Sequence, residues 1–298
     1  MFTNILVGVD RHQRGRDAIA LSSRLLAPGG ELTLAHVFPG DARTGSHSPA
    51  DRELAARERA VELLETARRE ADVRATLSWR ESSSVGRGLH ELCERIGADL
   101  LVVGSCRRGL LGRVMIGDDV HAALDGAPCA IAIAPAGYGA QAGAVRQIGV
   151  AYNGSPESDH ALAVARAMAS QQDAKLSALE AVSIPSYAFA GGPAPIGDTL
   201  DALMTGARER LAALEDVEAR AVYGNPVEEL SRDSATLDLL VVGSRGYGPV
   251  GRLVHGSTAR QLAGAARCPL LVLTRGAPAA DQPDARSHER ELTASVPT

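Results

Sequence analysis

The octapeptide "ADLLVVGS" at Ala98–Ser105 returns as "LDLLVVGS" at Leu237–Ser244. Gly104 and Gly243 stand 139 residues apart, and that register continues without a gap. It superposes Gly109 on Gly248, Gly112 on Gly251, Arg113 on Arg252, Gly117 on Gly256 and Cys129 on Cys268. Upstream, "NILVGVD" at Asn4–Asp10 answers "RQIGVAYN" at Arg146–Asn153. A repeat of this length means that one folding unit occurs twice. The 298 residues suit two domains of ordinary size. The seam falls in the Gly/Ala-rich stretch Pro135–Val145, giving expected units at 1–137 and 146–276. Residues 277–298 carry no periodicity and are expected to be a disordered tail.

Each copy alternates strand and helix patterns. In the first, "NILVGV", "ELTLAHVF", "VRATLSW", "DLLVVG" and "CAIAIA" read as strands. Helical patterns cover about Gly15–Leu26, then Pro49 to Glu70 with proline at a first turn, and further segments from about Gly88 and Asp118. The second copy repeats the order with "IGVAY", "LSALEAV", "VEARAVY", "DLLVVG" and "PLLVLT". Near-continuous apolar strands joined by helices imply a parallel sheet covered on both faces. The expected fold class is therefore α/β: two tandem five-stranded parallel-sheet sandwiches, Rossmann-like in architecture, packed edge to edge. Such sheets bind ligands at the carboxyl ends of their strands, where the strand order reverses. Both glycine loops directly follow a strand and belong at that edge.

Composition removes several functions. A net charge of −5 argues against an electrostatic nucleic-acid binder. Lys175 is the only lysine, so neither a lysine-bearing P-loop nor a Schiff-base lysine at the loops is available. Cys93, Cys106, Cys129 and Cys268 have no C-x-x-C spacing, and Cys129 and Cys268 open apolar runs and read as core. The chain opens straight into a strand pattern, and no apolar run reaches the length of a membrane span. The expected compartment is the cytoplasm, with no membrane and no nucleic-acid partner. No G-x-S-x-G, H-E-x-x-H or metal-spaced His/carboxylate pair occurs, so no catalytic residues and no metal ligands are assigned.

The second loop, "GSRGYGPVGRLVHGS", contains "GYGPVG" at Gly246–Gly251, which satisfies G-x-G-x-x-G. Its context excludes the dinucleotide fingerprint, which belongs at a first strand-to-helix turn with an acidic residue about 20 positions on. The outer glycines give a better pattern: Gly243, Gly246, Gly256 and Ser257 form G-x2-G-x9-G-S. A helix starting near Gly256-Ser257-Thr258 would aim free N–H groups and a partial positive charge at a phosphate, with the Ser257 and Thr258 hydroxyls as further donors. The same residues also suit an ordinary glycine-rich turn in which Ser257 or Thr258 caps the helix.

Taken with "ILVGVD" and the tandem α/β unit, the G-x2-G-x9-G-[ST] pattern resembles the universal stress protein family in its two-domain form, over about residues 3 to 275. The resemblance implies an adenine nucleotide alpha hydrolase-like fold and a cytoplasmic protein, often a homodimer. It also implies ATP as ligand, with Mg²⁺ as a candidate companion. Carried over to this sequence, Gly243, Gly246, Gly256, Ser257 and Thr258 would surround the phosphates and ribose, with Arg245 adding a charge-assisted contact. Asn153 stands where the family has an acidic residue for the nucleoside, and Ala181 stands where backbone groups meet the base.

The first copy keeps Asp10 and Val37 at those two places, with Gly104 and Gly117 framing its loop. Arg107 replaces the glycine that admits phosphate, and Asp118 replaces the serine at the helix start. Two like charges about 4 Å apart repel by roughly 4 kcal/mol at an effective dielectric near 20. The first copy is accordingly expected to bind ATP poorly or not at all. Three classes of function stay open: a nucleotide-binding stress or signalling protein, a ligand-independent interaction module, and a slow ATPase or phosphotransfer enzyme.

Overall fold

The computed structural model describes residues 1–10, 14–38, 49–105, 118–141, 143–183, 196–244 and 257–273. The first half runs β1 (Phe2–Gly8), α1 (Arg14–Leu25), β2 (Leu26–Phe38), α2 (Pro49–Glu70), β3 (Thr76–Glu81), α3 (Val85–Ile96), β4 (Leu100–Gly104), α4 (Asp118–Leu124) and β5 (Ala130–Ala134). A short helix α5 (Tyr138–Gln141) crosses the seam. The second half follows as β6 (Gln147–Ala151), α6 (Pro156–Gln172), β7 (Lys175–Val182), α7 (Ile196–Ala212), β8 (Glu218–Tyr223), α8 (Pro226–Asp233), β9 (Leu239–Gly243), α9 (Ser257–Ala265) and β10 (Leu270–Leu273). The expected tail lies outside the described residues.

The strands form one sheet in the order β3-β2-β1-β4-β5-β10-β9-β6-β7-β8. Pairing is parallel within each half, and the halves join edge to edge through an antiparallel β5–β10 contact with Leu271 opposite Ala132. That reversal points the carboxyl edges of the two halves in opposite directions. Alternate strand residues feed two apolar layers. Ile5, Val7, Leu100, Val102, Ile148 and Leu239 pack under α1, α2, α6 and α7. Leu6, Leu101, Val103, Ile131, Leu240 and Val272 pack under α3, α4, α8 and α9. Each layer draws residues from both halves, so the core continues through the seam. The sulfur-bearing side chains belong to it: Cys129 and Cys268 are 5% and 6% exposed. Burial pushes the Cys268 thiol up to about 12.

Two matching clamps start the halves. Asp99 accepts hydrogen bonds from the Thr3 and Asn4 amides at 2.7 and 3.0 Å. Asp238 does the same for Arg146 and Gln147 at 2.8 and 2.9 Å. Each ties the beginning of a half to the strand that precedes its glycine loop.

The seam is more ordered in structure than its composition suggests. Asp17 of α1, 2% exposed, accepts from the Gly137 amide at 2.8 Å and the Gly139 amide at 2.7 Å. The carboxylate thereby satisfies the first free N–H groups of α5 and fixes the seam onto the first half. Hydrogen bonds to a charged group contribute about 1.5–3 kcal/mol each. Asp17→Ala is therefore expected to lower the unfolding free energy by about 3 kcal/mol, read as a lower urea midpoint at constant slope. Faster amide exchange at Gly137 and Gly139 would accompany it, and unchanged exchange there would count against the clamp.

Candidate functional site

In each half the strand order reverses beside the first strand: β1 lies between β2 and β4, and β6 lies between β7 and β9. The chain leaves these strands on opposite sides, which opens a crevice at their carboxyl ends. In the first half this crevice is a cleft of about 450 Å³ that contains Asp10, Val37 and Gly104 together. Its floor is apolar, with Val37, Leu89, Val103 and Val120. At its mouth the Arg14 guanidinium lies 3.4 Å from the Asp10 carboxylate. Nδ1 of His36 lies 2.8 Å from the Val9 carbonyl oxygen, whose strand it thereby braces. Gly117 lies outside the described residues, and α4 begins on Asp118.

The second half sets out the same edge with different side chains. The register pairs Ala151 with Val242 and with Leu179, which brings Asn153, Ala181 and Gly243 to one edge. Asn153 is exposed, and its amide oxygen accepts from the Ser155 amide at 3.1 Å. Ser155 in turn caps α6, with Pro156 at the first helical position. Ser257 opens α9 on the chain returning from β9, and Thr258 is half-buried. Arg245, Gly246 and Gly256 lie outside the described residues.

Gly104 and Gly243, expected to line phosphates, have a packing reason for being glycine. A Cβ on Gly104 would lie 2.3 Å from the Arg14 carbonyl oxygen, and one on Gly243 would lie 2.4 Å from that of Glu157. The first turns of α1 and α6 thus rest directly on the ends of β4 and β9. The same contacts identify Arg14 and Glu157 as equivalent positions.

Several residues at these edges escaped the sequence reading. Glu180 on β7, 5% exposed, forms an ion pair with Arg210 of α7. The Tyr152 hydroxyl donates to Asp159 at 2.8 Å. Burial first, and then this hydrogen bond, raise the Tyr152 pKa and keep it a neutral donor. By register, Glu180 holds the place that His36 holds in the first half. Extending the self-comparison past the glycine loops would have exposed these substitutions. Arg210 would still have been one arginine among many.

A further cavity of about 430 Å³ lies along the seam, where Ser105 and Tyr138 face Asp238 and Arg267. It contains none of the residues assigned to ligand binding. Among the described residues, no cluster of three His, Cys, Asp or Glu side chains is arranged to hold a metal ion. No helix among them is long and apolar enough to cross a membrane.

Residues 1–135 and 144–274 each match the universal stress protein family. A universal stress protein of Mycobacterium tuberculosis is 29% identical over 182 residues, covering 59% of this chain and 61% of that protein. The chain thus spans about three-fifths of that relative's length. Another from the same organism is 26% identical over 224 residues, covering 69% of this chain and 75% of its own length. The crystal structure of a universal stress protein from Archaeoglobus fulgidus superposes with a TM-score of 0.65 at 16% identity, over 92% of this chain and 98% of that one. That likeness concerns the fold. With two matches in tandem covering nearly the whole sequence, the chain belongs to the universal stress protein family.

Proposed function

We propose that this protein binds an adenine nucleotide, ATP, at the carboxyl edge of its second half, and that occupancy alters its shape or partners in a stress or signalling response. The observation that carries this reading is the convergence of Asn153, Ala181, Gly243 and the start of α9 on one edge at the point of strand reversal. A helix that opens on Ser257 has first-turn N–H groups without partners inside the helix and a partial positive charge, both suited to phosphates. Gly246 and Gly256 complete the loop in sequence, with Arg245 beside them. Asn153 can donate to and accept from a ribose. Cytoplasmic location, a homodimer and Mg²⁺ as companion of the nucleotide belong to the same proposal.

Purifying the full chain, identifying any co-purified nucleotide by mass spectrometry and following its hydrolysis over hours tests the reading. Stably held, unhydrolysed ATP is the expected result. Rapid turnover would move the protein to the enzymes, and failure to bind added ATP would leave a ligand-independent interaction module.

A further inference from the structure

The turn that carries Asn153 is held from outside the sheet. The Tyr152 amide donates to the Leu179 carbonyl at 3.0 Å, and beyond it the chain turns away from β7. Gly154 makes the bend at φ 73°, a left-handed conformation that suits glycine. Asn153 stands just before it, and its own amide reaches Ser158 Oγ only at 3.4 Å. Because its side-chain oxygen accepts from the Ser155 amide, Nδ2 is left as the donor, with no partner among the described residues. The direction of that donor follows the turn, so whatever holds the turn sets how Asn153 can meet a ligand.

Glu180 supplies the anchor. It is a carboxylate buried on β7, and a buried charge without a partner is costly. Arg210 of α7 donates to its two oxygens from Nε and Nη2. Two bonds to a planar guanidinium fix its direction as well as its place. The arginine stem is thereby laid against the bend: a Cβ on Gly154 would lie 2.7 Å from Cδ of Arg210 and 3.4 Å from its Nε. In the first half the residue at the register of Glu180 is His36, which braces the Val9 carbonyl directly at 2.8 Å. In the second half the brace comes from a helix.

We infer that Arg210, locked on Glu180, is a positioning residue of the second-half site, setting the orientation from which Asn153 meets the nucleoside part of the ligand. A binding group keeps its geometry only when the residues behind it are themselves fixed. The inference rests on the proposed function, which puts an adenine nucleotide at this edge.

A double-mutant cycle on the full chain tests it, with equilibrium ATP binding measured for Arg210→Ala, Asn153→Ala and the two together. Each single variant should weaken ATP about tenfold, and the double variant should be no weaker than either. Independent losses, about a hundredfold in the double variant, would mean that Arg210 acts on the ligand or the fold by another route and would overturn the inference. Unchanged affinity in Arg210→Ala would overturn it too. Arg210→Ala leaves Glu180 buried without its partner. Glu180→Leu with Arg210→Ala removes the hold without that unpaired charge, and the same cycle against Asn153→Ala reads the question if the single variant does not fold. Hydrogen exchange at the Ser155 amide, which is bonded to Asn153, should be about tenfold faster in that charge-free pair. A wild-type chain that takes no ATP would refute the proposed function. Faster Ser155 exchange in the pair would then still establish Arg210 as the anchor of the turn, and unchanged exchange would remove that role as well.

Discussion

Gly243→Val is expected to destabilise the protein by about 3 kcal/mol or to prevent folding, before any effect on a ligand is considered. The added Cβ would lie 2.4 Å from the Glu157 carbonyl oxygen and 2.6 Å from its carbonyl carbon. Both atoms belong to the first turn of α6, which is held by its Ser155 cap and by the buried Ala161, Leu162 and Ala165 beneath it. Relief would require lifting that turn from the sheet and opening the core layer it covers. Gly104→Val should behave alike, because its Cβ would meet the Arg14 carbonyl oxygen at 2.3 Å. Urea unfolding at constant slope reads the loss. A Gly243→Val protein with unchanged midpoint but no ATP binding would show that this glycine is kept for the ligand and that the helix contact is incidental.

The second large effect is a gain of binding. Arg107 and Asp118 stand in the first half where Gly246 and Ser257 stand in the second. Replacing both, Arg107→Gly with Asp118→Ser, removes the carboxylate from the start of α4 and supplies a hydroxyl donor in its place. Even a fraction of the roughly 4 kcal/mol repulsion between like charges about 4 Å apart corresponds to one or two powers of ten in affinity. Equilibrium ATP binding to the double variant should therefore reveal a second site strengthened by about tenfold to a hundredfold. Unchanged affinity would mean that the two substitutions are not what separates the halves.

The repeat, the strand pattern and the longest helix were legible because each depends on local chemistry. Pro49 to Glu70 has proline at its first turn and no breaker inside, and α2 spans those residues. The five apolar runs of each half became five strands. The start of β2 was not legible: the helical pattern is expected to run to about Leu26 and the strand to open at Glu31, yet β2 begins at Leu26, opposite Phe2, and absorbs the irregularity through a register shift and Gly29 at φ 79°. The short helix α5 was hidden for a different reason. Its stability comes from Asp17, 120 positions from Gly137, and no local pattern reports such a partner.

Site chemistry divides in the same way. The glycine spacing was visible, but the packing duty of Gly104 and Gly243 depends on how closely α1 and α6 approach the sheet. The opposed characters of the two edges needed the strand registers to align His36 with Glu180, and the two glycine contacts to align Arg14 with Glu157. Sequence similarity between the halves is strongest along β4 and β9 and the glycines that follow them, whereas the edges differ at Arg107 and Asp118 of the loop and again on the first helix and the second strand.

Counting ATP per chain tests the central claim most directly. Equilibrium binding to the purified full-length protein should give one tight site, abolished in Gly246→Arg with an unchanged unfolding midpoint. Two equivalent sites per chain, or one site that survives Gly246→Arg, would contradict the account.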